Sequence, residues 1–135
     1  ASDDQPLLGL LSMILPCIAS GNRVVAVPSL KAALIVADFY QLLDTSDVPG
    51  GVINLVTGVP SELATVLAAH DDVAAIWAVG PADECEQIKK ESAGNLKSVW
   101  TSDGKSPDWY DSQAEGSSWL ERATQVKNIW VPYGE

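Results

Sequence analysis

The sequence predicts an α/β fold: an open, mostly parallel sheet flanked by helices. Four short apolar runs, at residues 24–27, 52–56, 73–79 and 96–100, are separated by segments with helical periodicity. Continuous apolar runs of this length are typical of strands that are buried on both faces. Strands that alternate with helices indicate parallel pairing through right-handed crossovers. A chain of 135 residues, 47% of them hydrophobic, is long enough for one domain with a single core.

A buried helix is expected at residues 6–20, before the first strand. It should end at Gly21 and Asn22, because these residues favour the left-handed backbone that closes a helix. The apolar run at residues 7–18 is shorter than the roughly 20 residues that a membrane span requires. Acidic rather than basic residues precede it, so it does not resemble a signal peptide.

Residues 22–58 follow as a strand–helix–strand unit. Such a βαβ unit is the building block of Rossmann-like sheets, whose ligands bind at the carboxyl ends of the strands. The first candidate site is therefore the turn formed by Val27, Pro28 and Ser29. Ser29 can also cap the helix that we expect at residues 31–43.

The alternation continues to residue 100. A helix is expected at residues 63–70, before the third strand. Gly80 and Pro81 break that strand, and proline suits the first turn of the more polar helix expected at residues 81–91.

The character of the sequence changes after residue 100. Residues 101–118 are rich in Ser, Asp, Gly and Pro and lack periodicity, so we expect an irregular connection. A short helix is expected at residues 119–124 and an edge strand at residues 126–131. The chain thus divides into a sheet domain at residues 1–100, the irregular connection, and a C-terminal helix and strand within residues 119–135.

Charge and cysteine content exclude several classes of function. The formal net charge of −10 opposes binding to nucleic acid and to anionic membrane surfaces. The two cysteines, Cys17 and Cys85, fit a reducing compartment, and we expect a cytoplasmic protein. Because the sequence begins at Ala1 without an initiator methionine, we interpret it as part of a longer protein.

The titratable residues favour structural roles over catalysis. Cys17 lies within an apolar helix and is expected in the core. Cys85 has acidic neighbours, which oppose a nucleophilic thiolate. With His70 as the single histidine, neither a zinc site nor a Ser-His-Asp triad is expected. The acidic pairs at residues 71–72 and 83–84 fit helix and turn termini better than a metal site.

Aromatic residues cluster in and beside the irregular connection, namely Trp100, Trp109, Tyr110 and Trp119. Residues of this type are enriched at protein interfaces. They can equally cover core that the connection would otherwise leave open, and both alternatives remain at this stage.

Three segments resemble the cofactor-binding domain of the aldehyde dehydrogenase superfamily. They are PLLGLLSMILPCIASGNRVVAVPS, DVPGGVINLVTG and HDDVAAIWAVG, and they follow one another at the family's own spacing from about Pro6 to Gly80. The ending LERATQVKNIWVPYG is similar to the family's C-terminal segment, which leads into an intersubunit strand. Within the superfamily, the chain resembles the C-terminal, degenerate module of the family-16 aldehyde dehydrogenases.

The same resemblance marks functional positions that have changed. The family holds the ribose of NAD with a lysine and a glutamate, and here Val27 and Leu30 stand in those places. Asp4 replaces an asparagine that stabilises an oxyanion, and its carboxylate would repel negative charge. Of the family's Phe-Thr-Gly-Ser turn only Gly80 survives. The region that should carry the general-base glutamate, residues 100–107, has none.

The resemblance therefore implies a pseudoenzyme. The family's catalytic domain, with its nucleophilic cysteine, is replaced by the short irregular connection, so no catalytic residue, metal or cofactor is expected in this chain. Val27, Ser29 and Gly80 remain as vestigial cofactor-binding positions. Association is expected as a homodimer or with another aldehyde dehydrogenase module, through interface residues Ile129, Trp130 and Val131.

Two functions remain open. The first is a non-catalytic module that serves structure, subunit association or partner binding. The alternative is part of an NAD-dependent aldehyde dehydrogenase, oxidising an aldehyde to a carboxylic acid, whose active site lies elsewhere in the full-length chain. A docking surface for an unrelated protein, suggested by the tryptophans alone, is a weaker third interpretation.

Overall fold

A computed structural model describes residues 3–114, 116–126 and 128–131, and it confirms the predicted α/β fold. Five α-helices occur in these residues: α1 (Pro6–Ala19), α2 (Ala33–Asp44), α3 (Pro60–Ala69), α4 (Ala82–Glu91) and α5 (Ser117–Arg122). Four strands alternate with them: β1 (Val24–Ala26), β2 (Ile53–Leu55), β3 (Ala75–Ala78) and β4 (Ser98–Thr101). Short 3-10 turns lie at Leu30–Ala32, Ser92–Gly94 and Ser112–Ala114.

All strand pairing among the described residues is parallel, as predicted, but the strands form two sheets and not one. β1 pairs with β2, placing Val24 opposite Ile53. β3 pairs with β4, placing Trp77 opposite Trp100. An apolar crevice with a volume of about 460 Å³ is lined by both β1 and β3. The single open sheet that the sequence predicts is thus divided, because the two pairs pack into separate core clusters.

The first cluster joins α1 to the β1–β2 pair. Leu10 and Ile14 of α1 are buried against Ala26 and Ile53. Each large aliphatic side chain buried in this way contributes roughly 1.5–3 kcal/mol of transfer free energy. In α2, Phe39 packs on this cluster, whereas Leu34 is exposed because only one face of the helix meets the sheet.

The second cluster joins α3 and α4 to the β3–β4 pair through Ala68, Ile76 and Ile88. Lys97, just before β4, strengthens this packing at the C-terminal end of α3. Its Nζ donates to the carbonyl oxygens of Leu67, Ala68 and His70, at 3.3, 2.5 and 2.8 Å. A cation at these carbonyls satisfies acceptors that the helix leaves unpaired and complements the helix dipole.

The third cluster is aromatic, and we call Trp77, Trp100, Trp109 and Trp119 the tryptophan cap. The ring centroid of Trp119 lies 5.3, 4.9 and 5.6 Å from those of Trp77, Trp100 and Trp109. These distances fit the favourable tilted and edge-to-face arrangements of aromatic pairs. Trp109 and Trp119 are buried, so the irregular connection covers the core, which was one of the two alternatives left open.

The predicted edge strand at residues 126–131 is not formed in the part of it that the structure describes, residues 126 and 128–131. Ile129, Trp130 and Val131 are 82%, 92% and 65% exposed. A strand requires a neighbour for its backbone hydrogen bonds, and none of the described strands lies beside this segment. The sequence preference alone therefore does not produce a strand here.

Candidate functional site

The carboxyl ends of β1 and β3 are where a Rossmann-like sheet would bind a ligand. Val27, just beyond β1, and Gly80, just beyond β3, both line the crevice. Ser29, the third predicted position, does not line it and is buried beside α1 and the Leu30–Ala32 turn. The structure thus brings together two of the three vestigial positions.

The Ser29 hydroxyl is engaged within the protein. It donates to a carboxylate oxygen of Asp3 and accepts a hydrogen bond from the backbone N–H of Lys31 at 3.2 Å. Lys31 also forms an ion pair with Asp3, with Nζ 3.2 Å from Oδ2. The Ser29 hydrogen bond, followed by Lys31, lowers the pKa of Asp3 below its ordinary value. Ser29 therefore caps the 3-10 turn, and its predicted capping role is fulfilled one turn before α2 begins.

Gly80 is similarly engaged. Its backbone N–H donates to the Ser102 hydroxyl at 3.3 Å, and its carbonyl accepts the Cys85 thiol at 3.6 Å. Pro81 follows and has no N–H to offer. The backbone of Gly80 is thus held by the side chains of Ser102, just after β4, and Cys85 of α4. Ser102 was not singled out from the sequence, although it directly follows β4, which pairs with β3.

Val27 and Leu30 both follow β1 and have hydrocarbon side chains. Val27 is half-buried and Leu30 is 62% exposed, and neither hydrocarbon side chain can hydrogen-bond a ribose hydroxyl. A lost hydrogen bond to a charged group weakens binding by roughly 1.5–3 kcal/mol. Each position would therefore contribute less to NAD binding than the lysine and glutamate that the family resemblance predicts there.

Asp103 lies within residues 100–107, where the family resemblance predicts the general base, and it forms an ion pair with Lys89. Its Oδ1 lies 2.5 Å from Lys89 Nζ and accepts the Thr101 hydroxyl at 2.7 Å. The Lys89 hydrogen bond, and then that of Thr101, lower the pKa of Asp103 below its ordinary value. A carboxylate whose pKa is lowered is a weaker base, so these contacts oppose proton abstraction.

The remaining candidates have structural surroundings. Cys17 and Cys85 line the crevice; burial raises the pKa of the Cys17 thiol, and Cys85 is 1% exposed. His70 accepts the backbone N–H of Asp72 through Nδ1 at 3.2 Å, which closes a turn. Within residues 3–114, 116–126 and 128–131, no three His, Cys, Asp or Glu residues are grouped to hold a metal. Nor does any helix in this part of the chain have the length and hydropathy to cross a membrane.

The rim of the crevice carries a cation that sequence analysis did not identify. The Arg122 guanidinium lies 5.7 Å from the Trp100 ring centroid and 5.9 Å from that of Trp119. Ala123 follows at the same rim, and its carbonyl accepts the Asn22 amide at 2.7 Å. This hydrogen bond joins the end of α5 to Asn22, just before β1, across about 100 residues of sequence. Only the tertiary structure reveals it.

Comparisons with known proteins identify the family to which this chain is similar. The family model described as "Aldehyde dehydrogenase family" matches residues 4–124. The chain is 37% identical over 94 residues to mouse 2-aminomuconic semialdehyde dehydrogenase, covering 70% of this chain and 19% of that protein. It is 34% identical over 100 residues to the NADP/NAD-dependent aldehyde dehydrogenase PuuC of Escherichia coli, covering 73% and 20%. The chain therefore spans about a fifth of the length of these relatives.

A solved structure gives the same result. The crystal structure of an aldehyde dehydrogenase from Bartonella henselae superposes with a TM-score of 0.61 at 31% sequence identity. The superposition covers 65% of this chain and 18% of that one.

Proposed function

The chain belongs to the aldehyde dehydrogenase family, and from this premise we propose that it is a non-catalytic module of a larger cytoplasmic protein. In this proposal residues 1–100 are a degenerate cofactor-binding domain and residues 101–118 replace the catalytic domain. Residues 119–135 serve association. The finer resemblance, to the degenerate C-terminal module of family-16 aldehyde dehydrogenases, is part of the same proposal.

The observation that supports the proposal is that polar groups where a cofactor would bind are already hydrogen-bonded within the protein. The Gly80 amide is bound to Ser102, and the Ser29 hydroxyl is bound to Asp3 and Lys31. Val27 presents only methyl groups. A ligand that required these polar groups would have to break internal hydrogen bonds without an equivalent return.

The residues that could take part in catalysis also support a non-catalytic module. The pKa of Asp103 is lowered by Lys89, which makes this carboxylate a poor base. The pKa of the Cys17 thiol is raised by burial, which disfavours the nucleophilic thiolate.

Exposed apolar residues near the C-terminus support a role in association. Ile129, Trp130 and Val131 are large apolar side chains that remain mostly exposed in the isolated chain. Contiguous exposed apolar residues mark interaction sites, and we propose a homodimer or pairing with another aldehyde dehydrogenase module. The third interpretation, an unrelated partner bound through the tryptophans, has less support because Trp109 and Trp119 are buried.

The second candidate is a catalytic parent protein. PuuC is named as an NADP/NAD-dependent aldehyde dehydrogenase, and the chain spans about a fifth of its length. An active site elsewhere in a full-length protein is compatible with a non-catalytic module here. Dehydrogenase assays of the full-length and truncated proteins test this: activity that is unchanged on deletion of residues 1–135 would refute any contribution of this module.

The test of the main proposal is a calorimetric titration of this chain with NAD. We expect millimolar or weaker binding. The matched control is the Val27→Lys, Leu30→Glu variant, which restores the two family side chains and should bind more tightly than the original chain. Micromolar binding to the unchanged chain would contradict the proposal that its cofactor site is lost.

A further inference from the structure

The apolar crevice lined by β1 and β3 carries both arginines of this chain, and we propose that it binds an aliphatic carboxylate. The hydrocarbon tail would pack against the apolar lining, and the carboxylate would meet the two guanidinium groups. This small-molecule site goes beyond the proposed non-catalytic role and does not depend on it.

The lining of the crevice is mostly hydrocarbon. Side chains of α1, α3, α4 and β3 supply it, namely Leu10, Met13, Ile14, Leu67, Ile76 and Ile88. No hydrogen-bonded ladder joins β1 to β3 among the described residues, so backbone pairing does not close this space. Its volume of about 460 Å³ falls within the range of about 300–1,000 Å³ that is usual for sites that bind small molecules. The crevice can therefore take the apolar part of a small ligand.

The two arginines of the chain, Arg23 and Arg122, both line this crevice. Arg23 directly precedes β1, and Arg122 is the last residue of α5. The Asn22 amide donates to the Ala123 carbonyl at 2.7 Å, which brings the arginines together because each is the chain neighbour of one bonded residue. A guanidinium group presents parallel N–H donors that match the two oxygens of a carboxylate. The pair thus supplies a binding position for a carboxylate head group.

Neither guanidinium is neutralised by a carboxylate of the described residues. Both ion pairs found within residues 3–114, 116–126 and 128–131 are made by lysines. Arg122 instead lies over the rings of Trp100 and Trp119, at 5.7 and 5.9 Å from their centroids. Such stacking holds the planar group in place and leaves its N–H groups at the edge available to a ligand.

The acidic residues of the crevice restrict where a carboxylate fits. Glu84 lies beside Gly80, just beyond β3, and Asp72 is exposed in the turn before β3. Because like charges repel, the ligand carboxylate is expected at the arginines, with its tail directed away from them. The two arginines and two acids together leave the lining neutral in a chain with a net charge of −10. A single negative charge is therefore favoured here over the rest of the acidic surface.

Calorimetric titration of the chain with octanoate tests the site. We expect saturable binding with a dissociation constant of about 1 mM or lower. Octan-1-ol, which keeps the tail without the charge, and acetate, which keeps the charge without the tail, should each bind at least about 5-fold more weakly. No saturation with octanoate would overturn the site, and equally tight binding of either control ligand would overturn the assigned ligand class.

Arginine variants test the position of the carboxylate. Arg23→Gln and Arg122→Gln should each raise the dissociation constant of octanoate about 5-fold and leave that of octan-1-ol unchanged. Arg23 is exposed, so its variant should fold, and an unchanged urea midpoint verifies this. The matched control is Lys90→Gln, an exposed cation that does not line the crevice. Octanoate binding that is the same in all three variants would overturn the role of the arginines.

A variant that fills the crevice tests where the tail lies. Ala75 lines the crevice and is exposed, so Ala75→Trp should fold and should weaken both octanoate and octan-1-ol. Leu96→Trp, at a fully exposed site outside the crevice, is the control and should change neither. Unchanged binding of both ligands to Ala75→Trp would overturn the crevice as the binding site.

Discussion

The contact between Gly9 and Trp109 gives the sharpest stability prediction. A Cβ added to Gly9 would lie 2.7 Å from Trp109 Nε1, a distance that real Cβ atoms essentially never show, and 3.1 Å from Cε2. Trp109 cannot yield easily, because it is 2% exposed and its backbone N–H is held by Gln5 Oε1 at 3.1 Å. The Gly9→Ala variant should therefore disturb the tryptophan cap.

The expected magnitude comes from two opposing effects. Alanine in place of a glycine inside a helix stabilises it by about 1 kcal/mol. Overpacking a filled core costs about 1–3 kcal/mol, and expelling the tryptophan costs about 3–5 kcal/mol. We expect a net loss of about 1 kcal/mol or more in the free energy of unfolding, measured by urea denaturation with circular dichroism.

Two controls make the result interpretable. Gly94→Ala should change stability little, because nothing lies within 4 Å of the added Cβ. In a Trp109→Ala background the obstruction is gone, so Gly9→Ala should become stabilising by about 1 kcal/mol. If Gly9→Ala stabilises the unsubstituted chain, the packing of the irregular connection against α1 is refuted.

Three further predictions concern side chains away from the cap. Lys97→Met should lower the free energy of unfolding by about 1–3 kcal/mol, because it leaves the carbonyls at the end of α3 unpaired. The control Lys90→Met, at an exposed site, should have little effect. Equal urea midpoints for the two variants would contradict this prediction. The pKa values of Asp3 and Asp103 are lowered on folding from 3.8, so the stability that their contacts give the folded chain is present above about pH 4 and is lost as the pH falls through the lowered values. Asp103→Asn should reduce this loss of stability in acid, measured as urea midpoints from pH 6 to pH 2. An unchanged pH profile would argue against the Lys89 contact. Because partial burial raises the pKa of Cys17, iodoacetamide at pH 8 should label it more slowly in the folded chain than in urea. Equal labelling rates would contradict this partial burial.

Local sequence signals predicted most elements of this fold. The apolar runs and the Gly and Pro residues between them placed β1 to β4 and α1 to α5 within a few residues of their observed bounds. The largest difference is at the C-terminus, where the preference for a strand is real but the described chain supplies no neighbour. Strand formation depends on pairing, which a single segment cannot specify.

Contacts between distant residues escaped prediction. Gly9 meets Trp109 across about 100 residues, and Gly80 meets Ser102 only because β3 and β4 pair. The division into two sheets likewise depends on how the buried side chains pack into three core clusters. For the candidate site, the substitutions at Val27 and Leu30 were visible in sequence, but the internal bonds that occupy the Ser29 hydroxyl and the Gly80 amide were not.

The proposed loss of the cofactor site means that no dinucleotide binds at the carboxyl ends of β1 and β3. Amide-resolved NMR of the labelled chain during NAD titration tests it directly, since Val27 and Gly80 report from the two strand ends. We expect both amide resonances to stay in place up to millimolar NAD. Saturable shifts of both resonances at micromolar NAD would contradict it.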